Sequence, residues 1–239
     1  MISKLTDKVQ FIPNNPLLIE RSAIQTMSIH KTWAEFISNK ESGDYYDGKV
    51  FLVTHIDYCD NHYVLKIGES RFSDLIYART TGALLVRSLF VASYIVTSDG
   101  YYCIIQNRKG RINTIGGMAD VQDFKNGIFL PESCLRRELK EELGFDLHDS
   151  SIFKSYYPCY LKHPVGDENY VPLFPVGVLY EINTTLTKTA LSLAFEKNRA
   201  CCDKEVQNLL FFNRHNYYQL KDYENKESYI VDLLQLAIE

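Results

Sequence analysis

Two periodicities divide the 239-residue chain. Apolar runs bounded by turn-forming residues predict strands over 49–56 (KVFLVTHI) and 62–69 (HYVLKIGE), around the turn-forming DYCDN. Two more are predicted over 89–99 and 101–107, which meet at Asp99-Gly100, a hairpin signal. Residues 151–161 and 170–182 read as strands whose prolines mark points where pairing breaks, and 206–212 as another. Helical spacing appears over 31–39 and over 73–80, with Ser73 placed as the cap. The clearest helix runs from about Pro131 to Leu143, where Gly144 supplies the stop. A closing amphipathic helix is expected over 228–238. Residues 186–199 mix both periods and fix neither. Helices interleaved with strands in this order predict an α/β sandwich over 86–239, preceded by a small α+β region over 1–85.

Composition narrows the class. Hydrophobic residues make up 46% of the chain, enough for a sizeable core. The net charge of -4 argues against DNA binding, whose footprint is usually basic. The opening stretch MISKLTDKVQFIPNNPLL has no long apolar run, so neither a signal peptide nor a membrane span is expected. The six cysteines, at 59, 103, 134, 159, 201 and 202, form no C-x-x-C pair. They are read as reduced thiols of a cytoplasmic protein.

The chemistry concentrates in Arg136-Arg137-Glu138-Leu139-Lys140-Glu141-Glu142-Leu143-Gly144. At about 100° per residue, Leu135, Leu139 and Leu143 form one stripe, with Glu138, Glu141 and Glu142 immediately beside it. Three acids at i+3 and i+4 spacing repel one another by a few tenths of a kcal/mol per exposed pair, and more when partly buried. A hard cation reverses the sign, and Mg²⁺ favours carboxylate and phosphate oxygens. Arg137, four residues before Glu141, is placed to hold a carboxylate. Taken alone, such a run also fits an ordinary solvated helix face.

The run R-E-L-K-E-E-L-G-F resembles the second half of the Nudix box, G-x5-E-x7-R-E-U-x-E-E-x-G-U, where U is a bulky apolar residue. Arg137, Glu138, Leu139, Glu141, Glu142, Gly144 and Phe145 fill its fixed positions, and Gly116-Gly117 ends a predicted strand upstream. The first half departs. Counting back from Arg137, the glutamate position holds Phe129 and the glycine position Asp123, while Gly117 lies twenty residues before Arg137 instead of fourteen. An insertion of about six residues within 118–130 accounts for this and is expected to form an extended loop over the site. Glu132, Asp120 and Asp123 are candidates to compensate for the first glutamate.

The resemblance implies a Nudix α/β/α sandwich and a Mg²⁺- or Mn²⁺-dependent hydrolase. Its reaction would be cleavage of a diphosphate linkage in a nucleoside diphosphate derivative, such as a nucleotide sugar. Glu138, Glu141 and Glu142 would bind metal together with the Gly116 carbonyl, and Arg137 would belong to the same machinery. Tyr77-Ala78-Arg79-Thr80 is similar to a segment of the UDP-sugar pyrophosphatase branch, which makes Arg79 a substrate-binding candidate. Arg108 and Arg111, in the loop before Gly116, are further phosphate-binding candidates; Lys109 beside them reads as a solubilising turn residue. Glu205 and Glu196 are candidate additional ligands, with loop charge or pairing to Arg199 as the plain alternative for Glu205. Cys134 reads as packing, its thiol raised by neighbouring carboxylates. The expected partner is a small-molecule nucleotide, with no DNA or membrane; a homodimer is left open. The alternative is a Nudix-fold module that binds a nucleotide ligand without turnover.

Overall fold

The computed structural model describes residues 2–4, 9–13, 22–38, 47–59, 62–82, 86–162, 175–202, 205–223 and 229–238. Among these described residues, thirteen strands and five α-helices follow in chain order. The first region holds β1 (Ile2–Lys4), β2 (Val9–Pro13), α1 (Ala23–Ser38), β3 (Lys49–Cys59), β4 (His62–Arg71) and α2 (Phe72–Thr81). The second begins with β5 (Arg87–Val96), β6 (Tyr102–Asn107), β7 (Ile112–Asn113), β8 (Ile115–Met118), β9 (Phe124–Lys125) and β10 (Ile128–Phe129). It continues with α3 (Pro131–Leu143), β11 (Phe153–Lys162), β12 (Val176–Thr184), α4 (Lys188–Asn198), β13 (Val206–Phe212) and α5 (Tyr229–Ile238).

The hub is β5. One edge pairs in parallel with β12 from Leu89 to Val96. The other edge is shared by three antiparallel partners in turn: β3 at Arg87 and Ser88, β8 from Phe90 to Ser93, and β6 at Ile95 and Val96. Alternate β5 side chains therefore enter two cores. Leu89, Val91 and Ile95 face Leu135, Leu139 and Leu143 of α3 and Leu191 and Phe195 of α4. Ala92 and Tyr94 face Ile230, Leu233 and Leu234 of α5. This is the expected α/β/α sandwich on a mixed sheet. Hydroxyls of Tyr102 and Tyr160 donate to the carbonyls of Ala237 and Leu236, each at 3.0 Å, and dock the last turn of α5. Among the described residues no helix is long and apolar enough to cross a membrane.

Several expectations shift in detail. The helix placed at 31–39 starts earlier, at Ala23, because Ile24 and Met27 lie exposed and give no apolar stripe. α2 begins at Phe72, and Ser73 is not its cap. Its first turn is held instead by Asp74, which accepts from the Arg71 N–H at 3.0 Å, and by Asp47, which accepts from the Ser73 N–H at 2.8 Å. The ambiguous 186–199 stretch is α4, capped by Thr187, which accepts from the Ala190 N–H at 3.3 Å. Pro158 falls where the register with β12 shifts, as its missing N–H requires. Residues 60–61, 163–174 and 228, on which parts of the predicted turn, strand and closing helix fall, lie outside the described residues.

The inserted segment corrects the sequence reading outright. It is neither extended nor a loose cover. Asp120 caps a 3-10 turn at Val121–Asp123, and β9 and β10 form a hairpin through Asn126-Gly127, both at positive φ (53° and 78°). Phe124 stacks on Phe51 of β3 at 3.7 Å between ring centroids, and Phe129 meets Phe11 of β2 edge-on at 5.0 Å. The hairpin is thus fastened to the N-terminal strands. Phe124→Ala is expected to lower stability by about 2 kcal/mol in urea unfolding, less than a fully buried phenylalanine because Phe124 is half-buried. An unchanged midpoint would show that the ring stack does not hold the hairpin.

Candidate active site

Two glycines at the end of the sheet and the acidic face of α3 form the site. Gly116 has φ +147°, and a Cβ there would overlap the Val91 carbonyl of the neighbouring strand. The glycine is therefore demanded by the close approach of β5. At Gly117 a Cβ would overlap the Glu138 carboxylate, so this glycine makes room for the acid itself. The Gly116 N–H donates to Glu142 Oε2 at 2.9 Å. β8 and α3 are in this way locked through two of the three predicted acids.

Arg137 lies at the centre. Its Nη1 donates to Glu138 Oε1 at 2.6 Å and to Glu141 Oε2 at 3.1 Å. Its Nη2 donates to Asp123 Oδ2 and to the Met118 carbonyl, both at 2.9 Å. Asp123 is only 1% exposed and also accepts from the Asp120 N–H at 2.8 Å. Of the three residues considered as compensators, Asp123 is the one that reaches the arginine. Asp120 caps its own turn, and Glu132 accepts from the Tyr156 hydroxyl at 2.6 Å on the exposed side. Burial opposes the Arg137 charge, but Asp123 and Glu138 outweigh it and keep the guanidinium charged.

The acids are held against their solvation preference. Burial pushes the Glu138 carboxyl up to about 7, with Arg137 opposing by charge and hydrogen bond. Glu142 is raised well above the usual range by burial and then by Glu138. The Gly116 N–H pulls it back, while Glu205 and Glu141 add further repulsion. Glu205 is thus close enough for Glu142 to feel its charge, and its carbonyl accepts from the Arg108 N–H at 3.0 Å. Glu196 sits elsewhere: it is exposed and paired with Arg199 at 3.0 Å. Burial raises the Cys134 thiol, with Asp123 and Glu138 contributing. Cys103, Cys134, Cys159 and Cys202 are free thiols.

Among the described residues, no three His, Cys, Asp or Glu side chains are set with the spacing of ligands around one ion. The donor chemistry nevertheless fits a hard cation. Glu138 and Glu142 are each held through one oxygen, which leaves the other to coordinate, and a cation would offset the repulsion that raises both. Of the proposed phosphate-binding residues, Arg108 and Arg111 are exposed in the turn after β6, where Asn107 Oδ1 accepts from the Arg111 N–H at 2.9 Å. Arg79 is placed differently. It too is exposed, but it lines a cavity of about 230 Å³ whose wall includes Gly116 and Gly117, where partial desolvation of its guanidinium lowers its pKa. Sequence reasoning missed the other polar residues of that cavity, Ser88, Asn113, Thr114, Lys162 and Tyr229, because they come from separate segments of the chain, from β5 to α5.

No family model matches the chain, and no curated protein does. In fold the chain is similar to a protein of Deinococcus radiodurans, at TM-score 0.48 and 15% identity, covering 79% of this chain and 99% of that one. It is also similar to a Nudix-family hydrolase from Clostridium perfringens (TM-score 0.37, 17% identity, 64% and 96% covered). A Nudix hydrolase from Nitrosomonas europaea gives TM-score 0.39 and 12% identity, with 62% and 86% covered. At these scores and identities the likeness says nothing about activity.

The raised Glu138 carboxyl has a consequence for stability. Folding moves it from 4.5 to about 7, so between those values the folded chain keeps a proton that the unfolded chain has released. Stability in metal-free buffer should therefore fall as pH rises from about 4.5 to about 7, by up to about 3 kcal/mol from this group, with Glu142 acting in the same direction. Glu138→Gln should flatten that slope in urea unfolding at pH 5 and 7.5; an equally steep slope in the variant would remove Glu138 as its source.

Proposed function

We propose that the chain is a Nudix-type hydrolase that uses a divalent cation to cut the diphosphate linkage of a nucleoside diphosphate derivative. One observation carries the reading. Buried Glu138 and half-buried Glu142 are pressed against the Gly116-Gly117 backbone with their carboxyls raised by desolvation, and a third acid repels Glu142 from beside them. Stability alone gives no reason to bury acids together, since replacing buried charge by apolar groups is often neutral or stabilising. A cation-binding role does give one.

Glu138 and Glu142 would hold Mg²⁺ or Mn²⁺, with Glu141, Glu205 and the Gly116 carbonyl at the rim. When bound, the ion supplies charge neutralisation at the diphosphate oxygens and lowers the pKa of water. The chain's own residues do the rest. Arg137 keeps Glu138 and Glu141 oriented, and its own position is set by Asp123 and the Met118 carbonyl. The Gly116 N–H fixes Glu142 without using both of its oxygens. Glu141 is half-exposed and reaches water, which suits it to accept a proton from the attacking water. Binding without turnover is the weaker reading, because a pure binder has no need of a third acid crowded beside Glu138 and Glu142.

The test is a panel of nucleotide sugars, ADP-ribose, dinucleoside polyphosphates and nucleoside triphosphates with Mg²⁺ or Mn²⁺. At least one diphosphate should be hydrolysed, and Glu142→Gln should reduce kcat by about 10²-fold or more. Glu196→Gln should leave it unchanged. Calorimetry should show weaker Mn²⁺ binding in Glu138→Gln and Glu142→Gln; unchanged affinity in both would exclude these acids as ligands.

A further inference from the structure

The acid that holds the far edge of Arg137 comes from the inserted segment, and it is gripped at every polar atom. Asp123 donates its N–H to the Asp120 carbonyl at 3.0 Å, and its own carbonyl accepts from the Leu130 N–H at 2.9 Å, across the base of the β9–β10 hairpin. Its Oδ2 accepts from the Asp120 N–H at 2.8 Å and from Arg137 Nη2 at 2.9 Å. Its Oδ1 accepts from Arg137 Nε at 3.4 Å. With both backbone groups engaged and a short side chain, the carboxylate has little freedom of its own. It goes where the hairpin goes.

The hairpin in turn is seated by rings outside it. Phe124, next in the chain to Asp123, stacks on the buried Phe51 of β3 with 25° between the ring planes. Phe124 also lies 5.2 Å from Phe129, which meets Phe11 of β2. N–H···O bonds hold over roughly 2.7–3.2 Å, so a shift of the Phe124 ring by about an ångström is enough to part Asp123 from Arg137. The whole guanidinium charge would then fall to Glu138 and Glu141, which Nη1 already reaches at 2.6 and 3.1 Å. There it competes with a metal ion for carboxylate oxygens. Phe51 has no polar side-chain atom, so it acts on the acids through packing alone.

We infer that Phe51, in the N-terminal sheet, is a positioning residue for the acidic site: through Phe124 it seats the hairpin so that Asp123 keeps one edge of the Arg137 guanidinium and leaves the second oxygen of Glu138 for a metal ion. The N-terminal strands are then a working part of the site, beyond what they add to stability. The path is contiguous, from ring stack to backbone to ion pair, so the coupling has a physical carrier. The inference rests on the hydrolase reading for what the acids bind, but the hold on Arg137 can be measured without it.

The experiment makes two measurements on the full-length chain. The first is metal-free: the rate at which phenylglyoxal modifies Arg137, followed by peptide mass spectrometry. Asp123→Asn and Phe51→Leu should each raise that rate about threefold or more, as a guanidinium hydrogen bond is released. The second is Mn²⁺ affinity by calorimetry. Asp123→Asn should weaken it by about tenfold or more, and Phe51→Leu by about threefold or more, the range expected of residues that orient metal ligands. Phe51→Leu changes no charge, so its effect is positional, and Phe124→Leu replaces it if it fails to fold. Because both residues act along one path, adding Phe51→Leu to Asp123→Asn should cost little more than Asp123→Asn alone. Ile230→Val, a mild loss of packing in the α5 core, should move neither readout. A wild-type Arg137 rate in Phe51→Leu, fully multiplicative losses in the double variant, or equal effects from Ile230→Val would each overturn the assignment, even if diphosphates are hydrolysed. A faster Arg137 rate in Phe51→Leu, with no Mn²⁺ binding or hydrolysis by the unsubstituted chain, would leave Phe51 holding Arg137 and sink the reading of the acids.

Discussion

The site is organised around one half-buried guanidinium. A charge in that position must be met by partners or it costs several kcal/mol. Arg137 meets it with three carboxylates and a backbone carbonyl drawn from three segments: α3, the inserted hairpin and the end of β8. Its planar fork allows this, since donors diverge in fixed directions and a lysine ammonium could not span the same set. The orientation of α3 over Gly116-Gly117 is therefore set before any ligand arrives. The same bonds restrain Glu138 and Glu141 without neutralising the cluster, because one cation faces several acids.

That imbalance links stability to function. Glu138 is raised by burial and then by Glu141 and Asp123, and Glu142 by burial and then by Glu138, so they are an unfavourable feature of the metal-free chain. The apolar stripe of Leu135, Leu139 and Leu143, all fully buried, supplies the packing that holds them there. Neighbouring stripes on one helix thus do opposite things: one drives α3 onto the sheet, and the other carries charge to the place where the backbone is bare.

The parts legible in the sequence are those whose signals are local. Pro131, the leucine stripe and Gly144 delimit α3 to the residue, and Asp99-Gly100 marks the β5–β6 turn. The acid stripe is read from helical spacing, its metal-binding role from the likeness to the Nudix box, and Arg79 from a weaker likeness. What escaped depends on residues far apart in the chain. The Asn126-Gly127 dipeptide is itself a hairpin signal, yet its flanking strands have two residues each, and the aromatic partners that stabilise them, Phe11 and Phe51, lie in the N-terminal region. Glu205 and Glu196 were indistinguishable by type. They are separated by where α4 and the start of β13 point them, one toward Glu142 and one toward Arg199.

The inserted hairpin changes what the N-terminal region does. β3 pairs with β5 at only two positions, Leu52 with Ser88 and Val53 with Arg87, a narrow joint for a sheet of this size. β1 adds a joint by pairing with β11 at Ile2–Lys4, and the hairpin adds another: Phe51 stacks on Phe124, the residue after Asp123, and Asp123 holds Arg137. α2 adds a further contact through Arg79, on the other side of the glycines. The N-terminal region therefore touches the acids and the cavity by separate routes, each passing through a short run of packed or hydrogen-bonded side chains. An insertion that would be a liability as a free loop, because of its entropy, becomes a brace once its two aromatic rings have a sheet to sit on.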